Sequence, residues 1–146
     1  MEVSNEYVTN GYIQDSDDAS ITILTIFSNS ADYIRHIIID SQFVPELRNF
    51  VWTAGIPGNS KYLTAAVTNA NRQHLQRLNL FRGQKRISIH QFIPSLNCGE
   101  WVTNVILLSG NTYDVRISSL AWDSDVTRKR LDHEYDEIVG RNQAHL

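Results

Sequence analysis

The sequence predicts an α+β fold in which helices pack against a mixed or antiparallel central sheet. Runs of β-branched and apolar residues come first along the chain, and segments with a helical period of three to four residues follow them. The 146 residues, 42% of which are hydrophobic, suffice for one globular core. Strands followed by helices and further strands are typical of α+β domains. We therefore assign residues 20–146 to a single domain and the polar, acidic residues 1–19 to a lead-in.

The first half of the predicted domain contains three strands. Ser20–Phe27 is β-branched and apolar at nearly every position, as expected of a strand that is buried on both faces. His36–Ile39 and Phe50–Trp52 are two further apolar runs, and Pro45 breaks the chain between them. The three runs predict neighbouring strands.

The second half of the predicted domain contains the helices. Between Leu63 and Leu78, residues that would share one helical face recur every three or four positions, and Ser60 before them is a good N-cap. This spacing predicts a helix. Arg86–Phe92 alternates between apolar and polar residues and predicts a strand. A last helix is predicted from about Asp125 to Val139, with Gly140 as its stop.

Composition and charge exclude several classes of function. The net charge of −3 provides no surplus of Lys and Arg to neutralise phosphates, so we expect no nucleic-acid partner. No apolar run reaches the roughly 20 residues that a membrane span needs, so we expect no membrane partner. The single cysteine and five scattered histidines lack metal-ligand spacing, and no phosphate or dinucleotide motif occurs. We therefore expect no metal and no cofactor.

The single cysteine and the start of the chain predict a location. One cysteine cannot form an internal disulfide, and the first residues lack the basic start and apolar block of a signal peptide. We expect an intracellular protein, in the cytoplasm or, for an effector or viral protein, in the host cytoplasm or nucleus.

Cys98 stands where the sequence suggests that a loop becomes a helix. Asn97 is a good N-cap, and Glu100, three residues later, completes a variant of the capping box before the apolar stretch Trp101–Leu108. Cys98 would then occupy the first helical position, where the helix dipole favours a thiolate. The alternative is that Cys98 is a small buried apolar residue, as lone cysteines commonly are.

A thiolate nucleophile needs a base and a donor for the oxyanion, and the sequence offers both in a recognisable order. His36 comes 62 positions before Cys98, Gln91 comes seven positions before it, and the motif reads Q-FIPSL-NCGEW. This order resembles the clan CE cysteine peptidases, which include SUMO-specific proteases, the adenovirus protease and bacterial effector deubiquitinases. In that clan a Gln and a short turn precede (D/N)-C-G-x-(F/W/Y) at the start of the central helix.

The resemblance implies a papain-like variant with a catalytic dyad or triad. Cys98 would be the nucleophile, His36 the general base and acid, and Gln91 a side-chain contributor to the oxyanion hole. The third member stays open. The acidic residue that the clan has at the far end of a hairpin falls near Thr53 in one register. In the other register Asp40 takes the acid position and Ser20 stands opposite it, where the clan has its histidine. The protein would then have the peptidase fold without the activity.

Three functions remain open at the level of sequence. The first is a small cysteine peptidase that cleaves conjugates of ubiquitin or a ubiquitin-like protein, or a protein precursor, through a Cys98 thiolate. The second is a catalytically inactive pseudopeptidase that acts as a protein-binding or assembly module. The third is an unrelated α+β interaction protein in which Cys98 is buried and inert. The partner is a protein in each case.

Overall fold

A computed structural model of the chain describes residues 8–28, 33–53 and 63–122. Within these ranges the fold is a mixture of short helices and three small antiparallel sheets. This agrees with the predicted α+β class. The predicted helix from about Asp125 to Val139 lies outside the described residues. No helix in the described ranges is long and apolar enough to cross a membrane.

The first sheet is an antiparallel meander of three strands. It consists of β1 (Val8–Gln14), β2 (Ile21–Ser28) and β3 (Tyr33–Asp40), in that spatial order. The apolar runs that predict β2 and β3 are confirmed as neighbouring strands. β1 falls within the segment that the sequence assigns to the lead-in.

Only one face of this sheet is fully buried, which corrects the prediction that β2 is covered on both faces. Leu24 and Ile37 are opposite one another on the core face, and neither exposes more than 2% of its surface. On the other face, Ile23 is half-buried and Phe27 is 45% exposed. We call this side the outer face; it carries Ile13, Ile23, Phe27, His36 and Ile38, because alternate residues of a strand point to opposite sides.

Two smaller sheets follow along the chain. The second sheet has the order β4 (Trp52–Thr53), β5 (Thr64–Ala66) and β6 (Arg86–Ser88), and all its pairs are antiparallel. The third sheet pairs β7 (Val105–Leu107) with β8 (Leu120–Trp122). The predicted third strand is therefore shorter than expected and belongs to a different sheet from β2 and β3.

In the described ranges, three α-helices and two single turns of 3-10 helix connect these strands. The turns are Ser41–Phe43 and Ile117–Ser119. The α-helices are α1 (Val44–Leu47), α2 (Arg72–Arg77) and α3 (Ile89–Cys98).

The predicted helix from Leu63 to Leu78 is wrong over its first half. Thr64–Ala66 forms β5 because its residues pair with strands on both sides. α2 begins only after a turn in which Asn71 accepts from the Thr68 backbone N–H at 2.8 Å and donates its own N–H to the Thr68 hydroxyl at 3.2 Å. Such local side-chain bonds compete with helix formation and hold the chain in a turn.

The predicted strand Arg86–Phe92 is also shorter than expected, because its second half begins α3. Ile89, Phe92 and Ile93 are all buried to 1% exposure or less. Their spacing of three and four residues lies on one helical face, and burial of that face decides the conformation. In sequence the same residues read as an alternating strand.

Aromatic rings fill the centre of the core. Phe50, Trp52 and Phe92 pack together with ring centroids 5.2 to 6.0 Å apart. The indole N–H of Trp52 donates to the carbonyl of Leu47 at 3.0 Å, so the buried donor is satisfied. The rings bring α1, β4 and α3 together.

The Asn10 side chain connects the first sheet to the second. Its amide N–H donates to the Trp52 carbonyl at 2.9 Å, and its oxygen accepts from the Trp52 backbone N–H at 2.7 Å. The amide therefore satisfies both backbone groups of a residue that has no exposed surface. It binds Trp52 as a neighbouring strand would.

The two edges of the first sheet differ. The β3 edge is bridged at Ile38, because the Ile38 N–H donates to the Tyr113 carbonyl at 2.8 Å and the Val115 N–H donates to the Ile38 carbonyl at 3.0 Å. On the opposite edge, β1 has no backbone partner other than β2 among the residues that the structure describes.

We predict that Asn10→Ala lowers the free energy of unfolding by about 1 to 3 kcal/mol, because it leaves two buried backbone groups of Trp52 without partners. Urea denaturation of the whole chain measures this. Gln14→Ala is the matched control, because the Gln14 amide donates to the Ala19 carbonyl at 2.7 Å at an exposed site. It should cost less than about 0.5 kcal/mol. Equal losses in the two variants would contradict the role given to Asn10.

Candidate functional site

Cys98 ends a helix, and the prediction that it opens one is wrong. It is the last residue of α3, and Gly99 follows with a φ of 80° and donates its N–H to the Ser95 carbonyl at 2.9 Å. Glycine in the left-handed region is a common helix stop. The residues after it do not form a helix, and β7 begins at Val105. Gly99 could have been interpreted as this stop from the sequence.

The surroundings of the Cys98 thiol give it no evident activation. The side chain is exposed, and its sulfur donates to the Glu100 carbonyl at 3.5 Å. The carboxyl end of a helix carries the negative end of the dipole, so α3 does not stabilise a thiolate at this position. Exposure also contradicts the alternative that Cys98 is a buried apolar residue.

His36 lies on the exposed outer face of the first sheet. Its Nδ1 is 3.0 Å from the Thr25 hydroxyl on β2, the residue directly opposite in the register. The next residue, Ile37, points into the same core that receives the apolar face of α3. His36 therefore projects away from the side of the sheet on which α3 packs.

Gln91 and Cys98 lie on the same helix but not side by side. Seven residues of helix separate them by about 10 Å along the axis. The Gln91 amide donates to the Thr103 carbonyl at 2.8 Å, and its own carbonyl accepts from the Ser95 hydroxyl at 2.7 Å. The bond to Thr103 fastens the loop after α3 to the helix, and the bond from Ser95 lies within the helix.

Thr53, one candidate for the third catalytic residue, belongs to the second sheet. Its hydroxyl donates to the Thr64 carbonyl at 3.2 Å and accepts from the Arg86 guanidinium at 3.3 Å. These partners are the neighbouring strands of its own sheet, so the hydroxyl binds within that sheet.

Asp40, the other candidate, lies at the end of β3. Its carboxylate accepts from the Ile117 backbone N–H at 2.7 Å. Four residues of strand separate Asp40 from His36, which is about 13 Å. The register pairs Asp40 with Ile21, so the predicted pairing with Ser20 is wrong by one residue. None of the five predicted site residues is hydrogen-bonded to another, and their catalytic roles remain predictions.

An ion pair holds the segment that bridges the β3 edge. Arg116 makes two bonds to the Asp114 carboxylate, at 2.9 and 2.7 Å, and the Ser119 hydroxyl donates to it at 3.0 Å. Burial alone would raise the pKa of Asp114, but the bonds from Arg116 and Ser119 lower it overall. The hydrogen bonds to the Asp114 carboxylate raise the pKa of Arg116. The ion pair between Arg116 and Asp114 thus stabilises the segment next to β3.

Three further groups have shifted pKa values. Burial lowers the pKa of His90, on the first turn of α3, to about 4. Burial raises the pKa of Tyr12 to about 12, although the Arg48 cation 4.8 Å from the ring lowers it in part. The hydrogen bonds from Ser20 lower the pKa of Asp18. In residues 8–28, 33–53 and 63–122 no three metal-ligating side chains are grouped as a metal site.

The outer face of the first sheet is a candidate binding surface that the sequence analysis did not predict. Ile13, Ile23 and Ile38 lie in one row across the three strands, and Ile13 is 66% exposed. Phe27 is exposed further along the same face. The signal was present in β2, because both of its alternating sets of side chains are apolar although a half-exposed strand needs only one.

Comparisons of the chain with family models, with curated proteins and with solved structures found no match.

We predict that Cys98 reacts with iodoacetamide at pH 7 within about threefold of the rate of a cysteine in an unstructured peptide, because no described group activates it. Mass spectrometry of timed samples measures the rate. His36→Ala should leave the rate unchanged. A rate more than about tenfold above the peptide that falls on His36→Ala would restore the catalytic dyad.

We predict that the free energy of unfolding decreases as the pH falls from about 6.5, the ordinary pKa of histidine, through about 4, the pKa of His90. In this window the unfolded chain binds a proton that the folded chain does not, so acidification favours unfolding. Urea denaturation at several pH values measures the slope. His90→Gln should flatten it, whereas His36→Gln should keep it because His90 is still present; equal slopes in the wild type and His90→Gln would contradict the assignment.

Proposed function

We propose that this chain is a catalytically inactive protein-binding module and that it binds through the outer face of the first sheet. The observation that carries the proposal is the apolar row Ile13–Ile23–Ile38 with Phe27 on the same face; in the part of the chain that the structure describes, Ile13 and Phe27 are exposed, and Ile23 and Ile38 are half-buried. An exposed cluster of large apolar side chains is typical of a surface that contacts another protein.

The positions of the predicted catalytic residues support binding rather than turnover. Peptide hydrolysis through a thiolate needs the base within hydrogen-bond reach of the sulfur, and an oxyanion donor close to the same carbon. Here the His36 ring binds the Thr25 hydroxyl, the Gln91 amide binds the Thr103 carbonyl, and the Cys98 sulfur donates to Glu100. Each group has its own partner elsewhere.

Polar groups around the apolar row are suited to the rim of an interface. His36 lies on the same face and is exposed, and the Thr25 hydroxyl beside it is already paired with the ring. An apolar centre with a polar margin is the usual arrangement of a protein interface. A folded protein with an apolar surface is therefore the partner that this face fits.

A ubiquitin-like modifier is the first partner to test, because the motif around Cys98 resembles enzymes that act on such modifiers. The thiol peptidase remains the competing function, and the exposed thiol of Cys98 keeps it open to direct test. The two functions differ in whether a covalent adduct forms.

The experiment has two arms on the same protein. We predict that ubiquitin and SUMO probes with a C-terminal electrophile form no adduct at Cys98 by mass. We also predict that unlabelled ubiquitin or SUMO shifts the NMR amide signals of Ile13, Ile23 and Phe27 more than those of β7 residues.

Substitutions on two exposed surfaces serve as variant and control. Phe27→Thr should weaken binding about tenfold or more, the loss of one well-packed aromatic contact. Ile106→Thr should not, because Ile106 is equally exposed, at 45%, but lies on β7 in another sheet. An adduct that requires both Cys98 and His36 would favour the peptidase, and the absence of shifts with both modifiers would reject this class of partner.

A further inference from the structure

We propose that the free edge of β1 pairs with the β1 edge of a second copy of the chain, in an antiparallel register centred on Gly11. The two three-stranded sheets would then form one six-stranded sheet. This inference does not depend on the proposed function, because it concerns the isolated chain and the edge of the sheet rather than its outer face alone.

The two edges of the first sheet differ in their backbone partners. Residues 113–115 bridge the β3 edge at Ile38, whose N–H and C=O groups both have partners there. The β1 edge runs for seven residues, and its sequence, VTNGYIQ, contains no charged residue and no proline. Charges and prolines are the usual means by which proteins prevent strand edges from pairing. β1 has neither.

Alternate residues of β1 have backbone groups that point to the free edge of the sheet. The Asp15 N–H donates to the Ile21 carbonyl at 2.9 Å, and hydrogen-bonded pairs alternate along an antiparallel ladder. The odd residues of β1, such as Thr9 and Ile13, therefore bond to β2. The N–H and C=O groups of the even residues, such as Asn10 and Tyr12, point to the free edge.

β1 is complementary to β1 of a second copy when the two strands pair antiparallel. With Gly11 opposite Gly11 of the second copy, the outward-pointing backbone groups of Asn10 meet those of Tyr12, and those of Val8 meet those of Gln14. Every outward N–H then has an acceptor. No like charges face each other, since all seven side chains are uncharged. The glycine at the two-fold axis removes the side chain at the point of closest approach.

This register would join the outer faces of the two sheets. Thr9 is opposite Phe27 within one chain and would be opposite Ile13 of the second copy. Each row would therefore run from Phe27 through Thr9 to Ile13, Ile23 and Ile38 of the other chain. Ile13, which is the most exposed of the large apolar side chains described, gains a neighbour on its open side. The pairing thus joins two apolar patches into one surface.

We expect a weak dimer, because one strand edge buries less than the roughly 800 Å² per partner of a standard interface. Analytical ultracentrifugation from about 10 µM to about 1 mM covers the corresponding affinities. The weight-average mass should rise from that of one chain, 16.7 kDa, towards twice that value. Ile13→Lys should weaken association at least about tenfold, whereas Ile106→Lys, on β7, should not. A monomer at every concentration would overturn the proposal.

Amide hydrogen exchange tests the edge itself. The amides of Asn10 and Tyr12 should exchange quickly in dilute samples and become protected as the concentration rises, while those of Thr9 and Ile13 stay protected throughout. Protection of Asn10 and Tyr12 that does not change with concentration would mean that another part of the same chain covers the edge. A dimer in which these two amides remain unprotected would mean that another surface forms it. Either result would overturn the proposal.

Cross-linking tests the register. In a Cys98→Ser background, Gly11→Cys should form a disulfide-linked dimer on mild oxidation, because facing residues at a non-bonded antiparallel position have the Cα separation that a disulfide needs. A Cβ on Gly11 would lie 3.4 Å from the Phe27 ring, an ordinary contact. Thr9→Cys in the same background should form little, since it faces Ile13 rather than itself. Equal cross-linking of both variants would overturn the register.

Discussion

Trp52 is the residue on which the arrangement of the two larger sheets depends. Its ring packs between Phe50 and Phe92, its indole N–H binds the Leu47 carbonyl, and its backbone is bound by the Asn10 amide. These contacts come from α1, α3 and β1, which are distant in sequence. Because Trp52 has no exposed surface, each of its polar groups must be satisfied within the protein. The position of the first sheet over the core follows from that requirement.

This constraint also decides what the candidate site can be. With the core face of the first sheet directed at Trp52 and α3, the alternate residues of β3 must face outward, and His36 is one of them. A nucleophile on α3 and a base on the outer face are then on opposite sides of a packed layer. To bring the imidazole to the core face, β3 would have to shift by one residue, which would move the buried side chains of Ile37 and Ile39 to the outer face. The cost of such a shift makes the separation of His36 from α3 a property of the fold.

The sequence predicted the elements whose burial is strong and local. β2 and β3 were recognisable because each is a long apolar run, and the α+β class followed from them. The sequence predicts the wrong element where a segment fits both the period of a strand and the period of a helix. Ile89–Ile93 fits both alternation and a helical face, and only the tertiary contacts of Phe92 with the aromatic core select the helix. At Cys98, Asn97 suggested a helix start and Gly99 a helix stop, and the sequence order of these residues did not decide between them. The sequence does not predict β1 because its polar residues resemble a loop, although the polar side chain of Asn10 binds the Trp52 backbone.

Ile13 lies both on the outer face of the first sheet and on β1, the strand at its free edge. A strand that only supported the core would need apolar residues at alternate positions, yet β2 is apolar at both sets, and Ile13 extends the second set onto β1. The exposed parts of the Ile13 and Phe27 side chains add nothing to the stability of the isolated chain, because that surface remains in water. They gain free energy only when another surface covers them. The strand edge beside them is likewise a set of hydrogen-bonding groups with no partner in the described part of the chain. In the dimer that we propose, one contact along β1 covers both features, because the outward backbone groups of β1 gain partners and Ile13 gains a neighbour on its open side.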